Sequence, residues 1–178
     1  MELKECMKAR RSIRKFQAKS VSKEIIEKLV EMAIYAPSWK NSQVTRYYAV
    51  TNKDIIAKIV GGMPEYNVTA TSTAPVLIIS TVVRMRSGYN RQGEFDSSKG
   101  KGWQMYDCAL SNSLFCLEAV EMGLGTVIMG IYPEELIAKE LEIPETEEVI
   151  SVIALGYADE EPNMPKRKDM DAILKYVD

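Results

Sequence analysis

The chain of 178 residues contains no histidine. No Ser-His-Asp or Cys-His catalytic unit can therefore be assembled, and histidine-containing zinc sites are excluded with them. Cysteine is scarce too: Cys6, Cys108 and Cys116 are three in number, with no Cys-x-x-Cys pair. That pattern argues against a disulfide framework, a zinc ribbon or a dithiol redox motif. It points to a reducing compartment in which the thiols serve as small buried hydrophobes. Neither sign of charge dominates, since 23 Lys+Arg against 25 Asp+Glu give −2. The basic excess of a nucleic-acid-binding chain is missing. Long hydrophobic runs are missing as well: Pro75 to Val83 (PVLIISTVV) falls far short of the roughly 18–20 residues of a membrane-spanning helix. The first residues, MELKECMKARRSIRKF, are charged throughout and lack a signal peptide's apolar centre. A cytoplasmic protein with no membrane segment, nucleic-acid partner or metal site is expected.

What is present suits one domain over residues 1–178, with 46% hydrophobic side chains and ordinary counts of ten glycines and seven prolines. Leu3, Cys6, Met7 and Arg10 follow helical spacing, so residues 2 to about 10 are read as a first helix. Ser22 caps a second helix whose stripe is Ile25, Ile26, Leu29, Val30, Ala33 and Ile34, and Pro37 ends it. Tyr47 to Val50 reads as a strand, and Asn52 caps a helix closed by Gly61-Gly62. Residues 75–83 lack alternation, as does a strand covered on both faces. Residues 84–102 are polar and without period, and are expected to be either a mobile lid or disordered. Trp103 to Met122 is apolar around nearly its whole circumference. A helix of that kind needs cover on every side, which predicts a homodimer. Strands at 126–131 and 149–157, with a helix begun by Pro133 between them, precede a polar extension, 158–178, ending in a short helix. Strands separated by helices imply an α+β, layered α/β architecture with crossovers over a covered sheet.

Four segments carry candidate chemistry. Arg10-Arg11-Ser12-x-Arg14-Lys15 sets four cations and a hydroxyl where the first helix gives way to loop. Such a cluster binds phosphate through charge-assisted bonds, or is a solvated basic surface, or is a nucleic-acid arm, which the acidic remainder disfavours. Lys166-Arg167-Lys168 gains meaning only if folding brings it beside Arg10. Ala36 to Gln43 reads as a plain turn, yet its Ser38, Asn41 and Gln43 suit a ring with carbonyl and N–H edges, and Trp39 offers an aromatic face. Gly123 to Gly130 lacks dinucleotide-binding spacing, though Gly130 permits close backbone approach. Paired carboxylates, a P-loop and metal-spaced acids are not found, so any hard chemistry belongs to a bound cofactor.

Taken in order, these segments resemble the FMN-dependent nitroreductase family. The likeness rests on Arg10-Arg11-Ser12-Ile13-Arg14-Lys15-Phe16, on Ala36-Pro37-Ser38 with Asn41 and Gln43, and on Ala74-Pro75 opening a Val/Ile strand. It continues through Gly123-Leu124-Gly125-Thr126 before Gly130, Leu155-Gly156-Tyr157 and Pro165-Lys166-Arg167-Lys168. The resemblance implies a mixed sheet flanked by helices, in a homodimer with two FMN sites at the interface. Arg10 and Ser12 would reach the phosphate and ribityl chain, with Arg11 close by and Arg14 near N1 and O2 of the flavin. Lys166 and Lys168, or Arg167 on a one-residue shift, would complete the phosphate clamp. Pro37, Ser38, Trp39 and Asn41 would meet the isoalloxazine from the other subunit, with Gln43 alongside, Met129 and Gly130 at its edge, and Asn67 added.

The implied activity is ping-pong hydride transfer from NADH or NADPH through flavin N5 to a nitroaromatic, a quinone or a similar small acceptor. No general base is needed, and Arg14 would tune the flavin electrostatically. The alternative is a flavin-binding or sensor protein of the same fold without turnover. Gln43-Val44-Thr45 departs from the family's frequent Gln-Pro-Trp, which leaves the acceptor open.

Overall fold

The structure, a computed structural model, describes residues 2–177, so Met1 and Asp178 of the expected domain lie outside the described residues. Strands β1 (Thr45–Val50), β2 (Val76–Val83), β3 (Gly125–Met129) and β4 (Glu147–Gly156) form one sheet in the order β1-β2-β4-β3. All three pairings are antiparallel. The α+β layering is as expected, but the mixed character of the sheet shrinks to a single parallel bridge, Ser12 with Thr126. The reason is topological. β2 and β3 run the same way, as a helical crossover requires, but β4 is inserted between them, so no adjacent strands of the four are parallel.

The missing alternation of β2 reflects cover on both faces. Leu77 and Ile79 point to one layer, formed by α3 (Lys53–Gly62), α4 (Glu65–Thr73) and α6 (Glu134–Glu140), where Ile56, Ile59, Ala70 and Ile137 also pack. Val76 and Ile78 point to the other, formed by α2 (Lys23–Ala33) and α5 (Gly102–Glu121), among Ile26, Leu29, Phe115 and Ala119. The two-residue side-chain period of the strand thus sorts one hydrophobic run into two cores. α1 (Leu3–Ala9) joins the second layer through Cys6, whose thiol donates to the Leu117 carbonyl at 3.1 Å.

The caps behave as their chemistry requires. Ser22 accepts from the Ile25 amide, and Asn52 accepts from those of Asp54 and Ile55. Pro133 stands one position before α6 rather than inside it.

α4 is not legible from periodicity, because its sequence EYNVTATST carries no apolar stripe. Its hold is tertiary: Ala70 and Thr71 are buried, and the Thr73 hydroxyl accepts from the Phe16 amide at 3.2 Å. Residues 163–177 are exposed, with one 3-10 turn at Met170–Ala172 in place of the expected final helix.

Within the single chain, Met105, Tyr106, Ala109 and Ser113 of α5 are exposed, and the burial of the polar Gln104, Asp107 and Asn112 is what the apolar pattern did not predict. Asn112 explains part of this inversion: its amide donates to Ser80 at 3.1 Å and Ser151 at 3.3 Å, whose hydroxyls share a 2.7 Å bond. The node ties the helix to the two central strands. Residues 84–101 form no helix or strand but fold back on themselves. Tyr89 bridges Phe95, and the Trp103 indole donates to Ser97 at 2.8 Å. No helix among the described residues is long and apolar enough to cross a membrane.

Asn112→Ala should lower unfolding free energy by about 1–3 kcal/mol, because two buried hydroxyls lose their donor. Denaturant titration would show it, and a change inside measurement error would contradict the node. The three cysteines are free and buried. Burial raises all three thiol pKa values, that of Cys108 to about 11. Since the Cys108 folded value lies above its ordinary 9.0, its stabilising contribution is complete below that pH and is lost as pH climbs toward 11. The folded protein should resist thiol alkylation at neutral pH and label fully on denaturation; rapid labelling in the native state would contradict the packing.

Candidate functional site

Residues 10–16 do not remain a flexible basic arm. Ser12 bridges Thr126, and the Ile13 amide donates to the Thr126 carbonyl at 2.9 Å, so the segment runs beside β3 like a short extra strand. Alternation at this bridge sends Ser12 toward a cleft and Ile13 into the core. Arg10, at the end of α1, faces the same cleft, and Phe16 enters the core at a separate bridge to Ala158. The close approach requires glycine at 125, because a Cβ there would lie 2.5 Å from Ile13 Cγ1.

The cleft holds about 470 Å³ and is lined by Met7, Arg10, Ser12, Ser113, Cys116, Leu117, Thr126 and Ile128. Neither the Arg10 guanidinium nor the Ser12 hydroxyl makes a hydrogen bond or ion pair among the described residues. An unpaired, half-buried guanidinium beside hydroxyls and an apolar wall suits a ligand with an anionic end and a hydroxylated chain.

The neighbouring cations behave differently. Arg11 folds back on its own chain, donating to the Lys8 carbonyl at 2.5 Å and that of Arg10 at 2.8 Å, and lines a separate depression with Ile13 and Glu160. Arg14 is exposed; its guanidinium reaches the Ser12 carbonyl at 3.2 Å, and its amide is held by the Glu160 carboxylate. Lys166, Arg167 and Lys168 are exposed on the segment after β4 and do not line the Arg10 cleft.

A second concavity, of about 310 Å³, lies between α2, the turn after it, β1 and α5. Ser38 and Gln43 line it together with Ala33, Ile34, Ala36, Tyr47 and Ser111. Burial raises the Tyr47 hydroxyl pKa well above its usual range. Pro37 and Asn41 are exposed at the same turn, where the Gln43 side chain donates from Nε2 to Asn41 Oδ1 at 3.1 Å. The half-buried Trp39 ring packs on Trp103 at 4.6 Å between centroids and 51° between planes. The turn is anchored from below by Asp107, which is 2% exposed and accepts from the Trp39 amide and the Ser42 hydroxyl.

The two concavities sit on different sides of α5. Ser111 belongs to one and Ser113 to the other, about 200° apart around the helix. Within one chain the Arg10 cleft and the Ser38 turn therefore face apart, and they surround one ligand only if a second copy supplies the other half.

Strand alternation also decides the Met129 region. Met129 is 4% exposed and lies in the core, whereas Ile128 is 48% exposed and lines the cleft. Gly130 is exposed just beyond β3. Asn67 donates to the Ile131 carbonyl at 3.2 Å and so ties α4 to the same end of the strand. Sequence reading did not single out Met7, Ser113, Cys116, Leu117, Thr126 or Ile128 for the cleft. The available signals were spacing alone: Met7 three residues before Arg10 on α1, and Ser113, Cys116 and Leu117 on one face of α5. Among the described residues no group of three or more His, Cys, Asp or Glu could hold a metal ion.

The profile of the nitroreductase family matches residues 7–61 and 60–157. A Methanothermobacter thermautotrophicus relative with the provisional name NADH dehydrogenase/NAD(P)H nitroreductase is 34% identical, over 97% of this chain and 86% of its own. An FMN-dependent nitroreductase of Clostridium difficile superposes with a TM-score of 0.77 at 25% identity, covering 96% of this chain and 96% of that one. A provisionally named nitroreductase of Exiguobacterium sibiricum, solved in complex with FMN, superposes with a TM-score of 0.88 at 20% identity, covering 99% of this chain and 98% of that one. With the profile spanning most of the chain and the relative this similar, the chain belongs to the nitroreductase family.

Proposed function

We propose that the protein is an FMN-dependent oxidoreductase that transfers hydride from NADH or NADPH to a nitroaromatic, a quinone or a similar small acceptor. The observation that carries the reading is the Arg10 guanidinium, which has no ion pair among the described residues, in a cleft that Ser12, Ser113 and Thr126 furnish with hydroxyls. These groups fit the phosphate and polyol of FMN, and the apolar side chains of Met7, Leu117 and Ile128 fit its less polar parts. Relatives bearing NAD(P)H nitroreductase and FMN-dependent nitroreductase names support it. When bound, FMN supplies the acceptance and donation of hydride, which a chain without histidine does not need a general base to assist.

The chain's own residues bind, orient and tune. Arg10 and Ser12 hold the phosphate end, and Lys166, Arg167 or Lys168 add cations to it from the exposed extension. Arg14, exposed beside Ser12, provides positive charge near the pyrimidine edge, where negative charge gathers on reduction. Ser38, Asn41 and Gln43 address the polar edge of the ring from a second subunit. The apolar Met105, Tyr106 and Ala109 on α5, exposed in the single chain, become the contact between subunits. The free, buried thiols suit the reducing cytoplasm.

Purified protein should be yellow and release FMN on denaturation, at about one per chain. It should oxidise NADH or NADPH when a quinone or nitroarene is supplied. A colourless protein that also refuses added FMN would overturn the reading; a yellow protein that never oxidises either donor would leave a flavin-binding protein. Arg10→Ala should weaken FMN binding about ten- to a hundred-fold, the loss of a charge-assisted contact. An unchanged dissociation constant by fluorescence titration would return Arg10 to the solvated surface. Sedimentation should give a dimer, and a stable monomer that keeps FMN would refute assembly of the site across subunits.

A further inference from the structure

The turn after α2 is strained. Lys40, Asn41 and Gln43 have φ of 47°, 55° and 46°, three non-glycine residues in the left-handed region within four positions. Such a conformation persists only where the surroundings over-determine it. Two of the bonds that hold it are internal: the Gln43 amide to Ser38 Oγ at 3.0 Å, and the Gln43 side chain to Asn41. Internal bonds give the turn a shape but do not orient it on the molecule. Of two other ties, Lys40 to Asp96 leads to the segment that forms no regular structure, and Trp39 on Trp103 is an apolar contact with the first turn of α5.

Asp107 is the residue of the helix that holds the turn by directional hydrogen bonds. It projects from the rigid 20-residue α5, four residues before Ser111, on the helix side that faces the Ser38 concavity. Its two oxygens accept from the Trp39 amide at 3.1 and 3.0 Å, and Oδ2 also accepts from the Ser42 hydroxyl at 3.2 Å. No lysine or arginine pairs with it among the described residues. A carboxylate buried without a cation is costly unless hydrogen bonds satisfy it, and here those bonds all come from this one turn.

We infer that Asp107 is a positioning residue: from α5 its carboxylate fixes the orientation of the Trp39–Ser42 turn, and thereby aims Ser38, Asn41 and Gln43 at the flavin of the other subunit. The inference rests on the FMN-dependent function proposed above. Asp107 acts through the turn and touches neither flavin nor substrate, and the Arg10 cleft lies on another side of α5, so removing the carboxylate separates ring orientation from phosphate binding.

The test uses the full-length FMN-loaded protein and compares Asp107→Ala, Asp107→Asn and Ser42→Ala with wild type. Asp107→Ala should keep FMN within a few-fold of wild-type affinity while altering the bound flavin's visible band and lowering kcat about ten-fold or more, since small misplacements of reacting groups carry effects of that order. Asp107→Asn keeps an oxygen for the Trp39 amide and a polar partner for Ser42, and should restore most of both. A folded, dimeric Asp107→Ala protein with wild-type flavin spectrum and kcat would overturn the assignment, as would an Asn variant no better than Ala. If the alanine variant fails to fold, Ser42→Ala decides on the same readouts: an altered band with lower kcat supports the role, and an unchanged enzyme overturns it. Wild-type protein that binds no FMN would refute the functional reading and this role together, whereas loss of the Asp107 effect in an active flavoenzyme refutes this role alone.

Discussion

The seam between residues 10–16 and β3 is the contact on which the candidate site depends. Without it, Arg10-Arg11-Ser12 would be a solvated run of cations with no defined direction. With it, one peptide bridge and one backbone hydrogen bond to Thr126 turn Ile13 inward and Ser12 into the cleft beside Arg10, while a second bridge, to Ala158, seats Phe16 in the core. Gly125 permits the seam because Ile13 occupies the space its Cβ would need. The hydrophobic burial of Ile13 and Phe16 thus supplies the free energy that holds the Arg10 guanidinium in the cleft, so the core and the candidate site are two sides of one short segment.

α5 organises what the seam does not. One side meets the sheet through Phe115, Ala119 and the Asn112 node, another contributes Ser113 and Cys116 to the cleft, and a third carries Asp107 and Ser111 beneath the strained turn. A helix with polar groups buried at chosen angles holds the two concavities in a fixed relation, which a loop would not maintain. It also leaves the apolar Met105 and Tyr106 exposed in the single chain.

Much of the fold was legible in the sequence where local rules are strong. The caps Ser22 and Asn52, the stripe of α2 and the doubly covered β2 follow from side-chain chemistry and period. α4 was not legible, because its threonines and serines carry no stripe and its stability comes from neighbours such as Phe16. The polar side of α5 was not legible for a related reason: its composition reads as apolar all round, while the structure buries Gln104, Asp107 and Asn112. Polar groups can be buried when partners wait for them, and partners distant in sequence are invisible to periodicity.

In the site, the residue types at Arg10, Ser12, Ser38 and Gln43 were chosen by the sequence in order along the chain, since the need for anion and ring-edge contacts is a matter of chemistry. Which of the cations faces the cleft, and that Trp39 packs on Trp103, were decided only in three dimensions. So was the choice of Ile128 over Met129, where one residue of strand register separates the cleft from the core. The sequence by itself determined the layers, the caps and the absence of histidine chemistry, because these rest on local propensity and composition. The tertiary structure decided direction, because the face a side chain takes is set by hydrogen-bond register with a strand more than a hundred residues away.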